Sequence, residues 1–120
     1  MSWTYSQSTG TLLHNGIHIG VGYSGHGPGV NHSESEKIHD IGPIPRGTWR
    51  IEKPIDSSHT GPFSLPLVLI SGDAFGRSAF LIHGDNQHMD FSASHGCIIM
   101  ARPIRKQIID SGDCILEVIA

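Results

Sequence analysis

The stretch TLLHNGIHIGVGYS, residues 11–24, decides how the rest of the chain is read. Two apolar segments flank Asn15-Gly16, the dipeptide best suited to a two-residue turn with both φ angles positive. Beyond the turn, Ile17, Ile19 and Val21 alternate with His18 and Gly20, the period of a half-buried strand. A β-hairpin is therefore the first expectation.

The same grammar continues outward. SGHGPGVNHSESEKIHD (24–40) is polar and glycine-rich and reads as a loop, of a length that often carries function. In GPIPRGTWRIEKP (42–54) two prolines fix an extended approach, and TWRIE follows as a strand with Trp49 and Ile51 on one face. SSHTGPFS (57–64) reads as a loop, LPLVLIS (65–71) as a buried strand, GDAFGRS (72–78) as a turn and AFLIHG (79–84) as a strand ending on His83. A polar loop (85–94) leads to the strand-like GCIIM (96–100). ARPIRKQIIDSG (101–112) is the one good helix candidate. Ile104, Ile108 and Ile109 share a face, Pro103 suits a first turn and Gly112 suits a C-cap. CILEVIA (114–120) closes as a strand. About seven or eight short strands and one helix in 120 residues predict a single mainly β domain, a compact sandwich or barrel-like sheet.

Composition excludes several functions. The net charge is −3 and the 8 lysines and arginines are scattered, so no basic face is built for nucleic acid. No apolar run reaches the length of a membrane span, roughly 18–20 residues. The polar opening, residues 1–16, lacks a basic segment followed by an apolar one, so no cleavable signal peptide is expected. The protein is then made in the cytoplasm, and either works there or leaves by a route that needs no such signal.

SHGC, residues 94–97, is where chemistry concentrates. Cys97 has four readings: a packed thiol, half of a disulfide, a metal ligand or a nucleophile. Cys114, the other cysteine, reads as a small buried hydrophobe in the last strand, which weakens the disulfide. A nucleophilic thiol needs a base, and His95 lies two positions away, on the same face of an extended segment. The Gly96 and Cys97 amides are candidate oxyanion donors. His83, ending its strand, falls close enough in the chain to stand beside Cys97. Asp85 reads either as an orienting carboxylate for His83 or His95 or as a turn residue. His83, His88, His95 and Cys97 also make a possible zinc set. A non-enzymatic wall-binding module would instead use Trp3, Tyr5, Tyr23 and Trp49 as a stacking surface.

HGD (83–85) with SASHGCIIM (92–100) resembles the signature of the L,D-transpeptidase catalytic domain (YkuD-type) family, and GPIPRGTWRI resembles its upstream turn and strand. WTYSQSTGTLL and GYSGHGPGVN resemble more closely the type VI secretion L,D-transpeptidase effectors, interbacterial toxins acting on peptidoglycan. The resemblance spans roughly Trp3 to Ile109 and implies the fold, the activity and the site. Cys97 matches the nucleophile, His95 the general base and His83 the histidine lining the site. Ser94 matches the hydroxyl before the base, where it would orient the imidazole, and Gly96 the oxyanion-turn glycine. Tyr23 and Ser24 would line the cleft. Ile99 stands where many members carry arginine, and Arg102 is the substitute cation for a substrate carboxylate. The resemblance implies a stem-tetrapeptide substrate, no cofactor and no metal. It also implies carriage by a secretion apparatus into the periplasm of target bacteria, and a cognate immunity protein in the producer.

Overall fold

The computed structural model describes residues 2–58, 60–85, 94 and 96–120. The 11–24 stretch forms the expected hairpin. Strand β2 (Thr11–His14) turns at Asn15 and Gly16, with φ of 51° and 81°, into β3 (Ile17–Val21). Trp49 and Ile51 are buried on one face of β5 (Gly47–Ile51), as their spacing predicts.

The sheet runs β3-β2-β1-β10-β5-β7-β8-β9-β4. Here β1 is Trp3–Ser6, β4 Tyr23–Ser24, β7 Gly61–Gly72, β8 Leu81–His83, β9 Ile98–Ile99 and β10 Ile115–Ile119, while β6 (Ile55–Ser57) pairs with β7 outside that order. The two ends of the order, β3 and β4, are consecutive in the chain. Gly22 alone separates them, and its N–H donates to Gly10 O at 2.8 Å. The sheet thus curls into a nearly closed, barrel-like mainly β fold, as the sequence predicts.

A core of Trp3, Tyr5, Leu12, Trp49, Leu65, Ile82, Ile98 and Leu116 fills it, with Ile108 contributed by helix α1 (Arg102–Ser111). Pro103 lies in the first turn of α1, and Gly112, at φ 75°, ends it. The helix packs on β7 and β8, and Gly20 of β3 makes room for Ile104. No helix among the described residues is long and apolar enough to cross a membrane.

Several expectations are corrected. Trp3, Tyr5 and Trp49 are core residues and Tyr23 is buried, so they form no stacking surface. Ile17 and Val21 are exposed, because β3 ends the strand order and lacks a partner on its outer side. β7 begins at Gly61, inside the stretch read as a loop, and pairs there with β6. The apolar run within β7 is buried on one face only, leaving Val68 and Ile70 exposed. Cys114 is exposed, because β10 starts one residue later.

Glu36 ties the long loop to the barrel. Its carboxylate accepts from Gln7 Nε2 and Arg46 N, each at 3.0 Å, and from Arg46 Nη2 at 2.8 Å. Burial pushes this carboxyl up, but the Arg46 and Gln7 hydrogen bonds outweigh it and hold the group down at about 2. A depressed folded-state value means stability that is present above the unfolded carboxylate range and lost as pH falls toward 2. Glu36→Gln is expected to cost roughly 2 kcal/mol at pH 7 and to flatten the acid limb of the stability curve. Urea unfolding at pH 7 and pH 3 checks this; an unchanged difference between the two pH values would refute it.

Candidate active site

Strands β8 and β9 run parallel, with Ile82 opposite Ile98 and His83 opposite Ile99. Ile82 and Ile98 point into the core. Strand alternation therefore puts His83 on the other face, together with Cys97 one residue before β9. The Leu81 N–H donates to Cys97 Sγ at 3.3 Å, and the thiol donates to Ala79 O at 3.6 Å. Cys97 lies at a cleft of about 240 Å³, lined also by His39, Asp40 and residues 76–80. Burial pushes the thiol up to about 11, although the Leu81 amide and the Arg77 charge act the other way. The resting sulfur is therefore protonated, and attack requires a base to take that proton.

His83 is equipped for such work. It is buried, and Nδ1 lies 2.8 Å from Gly84 O. A carbonyl can only accept, so Nδ1 carries the hydrogen and Nε2 the lone pair. Burial lowers its pKa, and the Arg105 charge adds to this against the Gly84 carbonyl and Asp85. His83 is thus a neutral imidazole at neutral pH. His95 and His88 lie outside the described residues.

Ser94 is fully buried and its hydroxyl is fully used. Oγ donates to Cys97 O at 2.6 Å and accepts from Gly25 N and Gly96 N, each at 3.0 Å. One proton and two lone pairs are thereby spent, so Ser94 braces the backbone of the cysteine turn rather than orienting an imidazole. The same bond occupies the Gly96 amide, which removes it as an oxyanion donor and leaves the Cys97 amide as the candidate. Gly96 adopts φ 125°, and a Cβ there would sit 2.3 Å from Arg77 Nη2. Glycine is required on both counts.

Ser24 is also structural. Its Oγ donates to Gly96 O at 3.0 Å and accepts from Ile44 N at 2.8 Å, and the residue is fully buried, so it presents no surface to a substrate. Tyr23 does not line the cleft. It is buried opposite Ile99, and its hydroxyl donates to Asp85 Oδ1 at 2.8 Å. Asp85 and His83 are brought close enough for the carboxylate's charge to act on the ring. Arg102 is exposed at the start of α1, 5.5 Å above the Phe63 ring, and does not line the cleft.

Two arginines escape a reading based on motif spacing. Arg77 is buried against Cys97's turn. It donates to the Glu36, Gly42 and Pro43 carbonyls and lies 5.1 Å above the Phe80 ring. Arg105 is buried as well, donates to Pro62 O and Phe63 O, and packs on Gly84 beside His83. Among the described residues no group of three metal-ligating side chains converges, and two members of the possible zinc set fall outside them.

The fold is shared with enzymes of known structure. L,D-transpeptidase 1 from Mycobacterium tuberculosis superposes with a TM-score of 0.54 at 17% identity, over 99% of this chain and 61% of that one. The L,D-transpeptidase from Xylanimonas cellulosilytica gives 0.54 at 15% identity, over 98% and 59%. The chain thus spans about three fifths of the length of these structures. A comparison with curated proteins finds no match. The Tlde1 domain model matches residues 19–113, a span that holds both histidine motifs and Cys97. This agrees with the resemblance carried by HGD and SASHGC to L,D-transpeptidase domains and their type VI effector subfamily. The chain belongs to the Tlde1 domain family and is built on the L,D-transpeptidase fold.

Proposed function

We propose that this protein is a cysteine-dependent peptidoglycan-modifying enzyme that acts on stem tetrapeptides. The observation that carries the reading is the Cys97 thiol at the cleft, two register positions from a buried neutral histidine on the same face, in a fold shared with L,D-transpeptidases. As an imidazole takes the thiol proton, sulfur attacks the carbonyl of the third stem residue. His95 serves as base by its place in SHGC, and His83, with its lone pair on Nε2, stands on the same face as a second base. The developing oxyanion is met by the Cys97 amide. The C–N bond to D-alanine breaks, the amine leaves with the proton, and an acyl-thioester remains. Water then yields L,D-carboxypeptidase activity, a free D-amino acid yields exchange, and a second stem amine yields a crosslink. Each restores the thiol.

The wider role is that of an antibacterial toxin, carried by a type VI secretion apparatus into the target periplasm. The producer is protected by an immunity protein that plugs the Cys97 cleft. The deciding experiment incubates purified protein with tetrapeptide muropeptides, with and without D-methionine, and reads products by mass spectrometry. Loss of D-alanine, or its replacement by D-methionine, is expected. Iodoacetamide should stop the reaction and a chelator should not. Unaltered muropeptides under all conditions would sink the reading, and chelator sensitivity would move it to a metal hydrolase.

A further inference from the structure

Two backbone groups reach Cys97 Sγ, and both come from the segment that leads into β8. Leu81 N–H donates to the sulfur at 3.3 Å, and Ala79 O accepts the thiol hydrogen at 3.6 Å. The sheet explains why the Leu81 amide is available. Phe80 O accepts from Leu67 N at 2.9 Å, so Phe80 faces β7, and alternation turns the Leu81 backbone groups toward β9. On that side Met100 N donates to His83 O at 3.0 Å, and Ile82 is opposite Ile98. Carried back two residues, this parallel ladder would give the Leu81 N–H to Gly96 O. Gly96, at φ 125°, leaves the strand path, and its carbonyl accepts from Ser24 Oγ at 3.0 Å instead. The ladder ends one rung early, and the sulfur takes the donor left over. A thiol sulfur is a weak acceptor, whereas an ionised acceptor makes a bond roughly twice as strong. The donor's contribution therefore grows as the thiol loses its proton.

We propose that the Leu81 backbone N–H is a catalytic group, the fixed donor that holds the Cys97 thiolate. The inference rests on the acyl-transfer reading and adds a group to its machinery. When a base removes the thiol hydrogen from beside Ala79 O, the electron pair stays on sulfur and the Leu81 N–H tightens onto it. That pair forms the C–S bond, and D-alanine leaves with the proton. When the acceptor attacks the thioester, the C–S bond breaks and the pair returns to sulfur. There it meets the same donor until the acceptor's proton, passed through the base, restores the thiol.

Thiol alkylation tests it apart from turnover. Cell-free translation with a hydroxy-acylated suppressor tRNA places the hydroxy analogue of leucine at position 81, which exchanges one N–H for an ester oxygen and keeps the side chain. The hydroxy analogue of isoleucine at position 82 is the control, because it deletes an N–H of the same strand that faces β7. Iodoacetamide labelling at pH 8 is read peptide by peptide, with the exposed Cys114 as internal reference. Labelling of Cys97 is expected to slow roughly tenfold in the position-81 ester and about twofold or less in the position-82 ester. An unchanged rate in the position-81 ester, or equal slowing in both, would overturn the proposal. If the position-81 ester does not melt cooperatively, the native backbone decides. In Cys97→selenocysteine, whose selenol ionises more readily than a thiol, the Leu81 amide proton should move downfield across the selenol titration while that of Ile82 stays. A Leu81 signal that does not move would equally overturn it. Slowed labelling confined to the position-81 ester supports the thiolate donor even if the parent turns over no muropeptide. That last result would count against the acyl-transfer reading alone.

Discussion

Cys97→Ala is expected to abolish D-alanine release from tetrapeptide muropeptides, by a factor on the order of 10⁴ or more. The substitution removes the atom that forms the thioester, and no other described nucleophile lines the cleft in its place except Ser78. The fold should survive. Cys97 is only half-buried, and its sulfur makes two weak contacts, with Leu81 N and Ala79 O. A stability loss of about 1 kcal/mol is the expected scale. The product assay and a thermal melt check the two halves together. Undiminished release by a well-folded Cys97→Ala protein would end the thiol mechanism. His83→Ala is expected to be impaired less than Cys97→Ala, because a base contributes about 10²–10⁴-fold.

Gly22→Ala is expected to be among the most damaging small substitutions to stability, and the one nearest the nucleophile's strand. A Cβ on Gly22 would sit 1.9 Å from Ile99 O and 2.8 Å from Met100 Sδ. The first neighbour is backbone, so β9 itself must move away, and β9 follows directly on Cys97. Overpacking of this kind costs about 3 kcal/mol or more, which in a domain of this size lowers the melting temperature by roughly 10 °C. Activity should fall further than stability, because the displaced strand carries the nucleophile's turn. Gly16→Ala is the control. Its Cβ would meet nothing within 4 Å, so only the positive φ of 81° is charged against it. Calorimetry on both variants decides; Gly22→Ala melting within a degree of the parent would refute the close packing of Gly22 against β9.

The parts legible in the sequence are those with local causes. Asn15-Gly16 dictates its own turn, Pro103 and Gly112 bound the helix, and Trp49 with Ile51 reports a buried face by alternation alone. What stayed hidden depends on partners distant in the chain. Ser94 looks like a catalytic hydroxyl until Gly25, far off in the chain but next to the β4 strand that pairs with β9, arrives to occupy it. Ser24 looks like a cleft residue until Ile44 and Gly96 close on it. Arg77 sits in a turn with no motif, and only folding sets it behind Gly96. The exposure of Ile17 and Val21 was unreadable for a related reason: alternation reports a strand, and strand order decides which face is covered.

The place of β10 has a consequence for how the two parts of the sheet are joined. The last strand lies between β1, which it joins in parallel, and β5, which it joins antiparallel. Trp3 is opposite Leu116, so the middle of the sheet joins segments far apart in the chain. The β1–β2–β3 and β5–β7–β8–β9–β4 pairings need nothing from β10, but they become one sheet only when β10 enters between β1 and β5, a closure of high sequence separation.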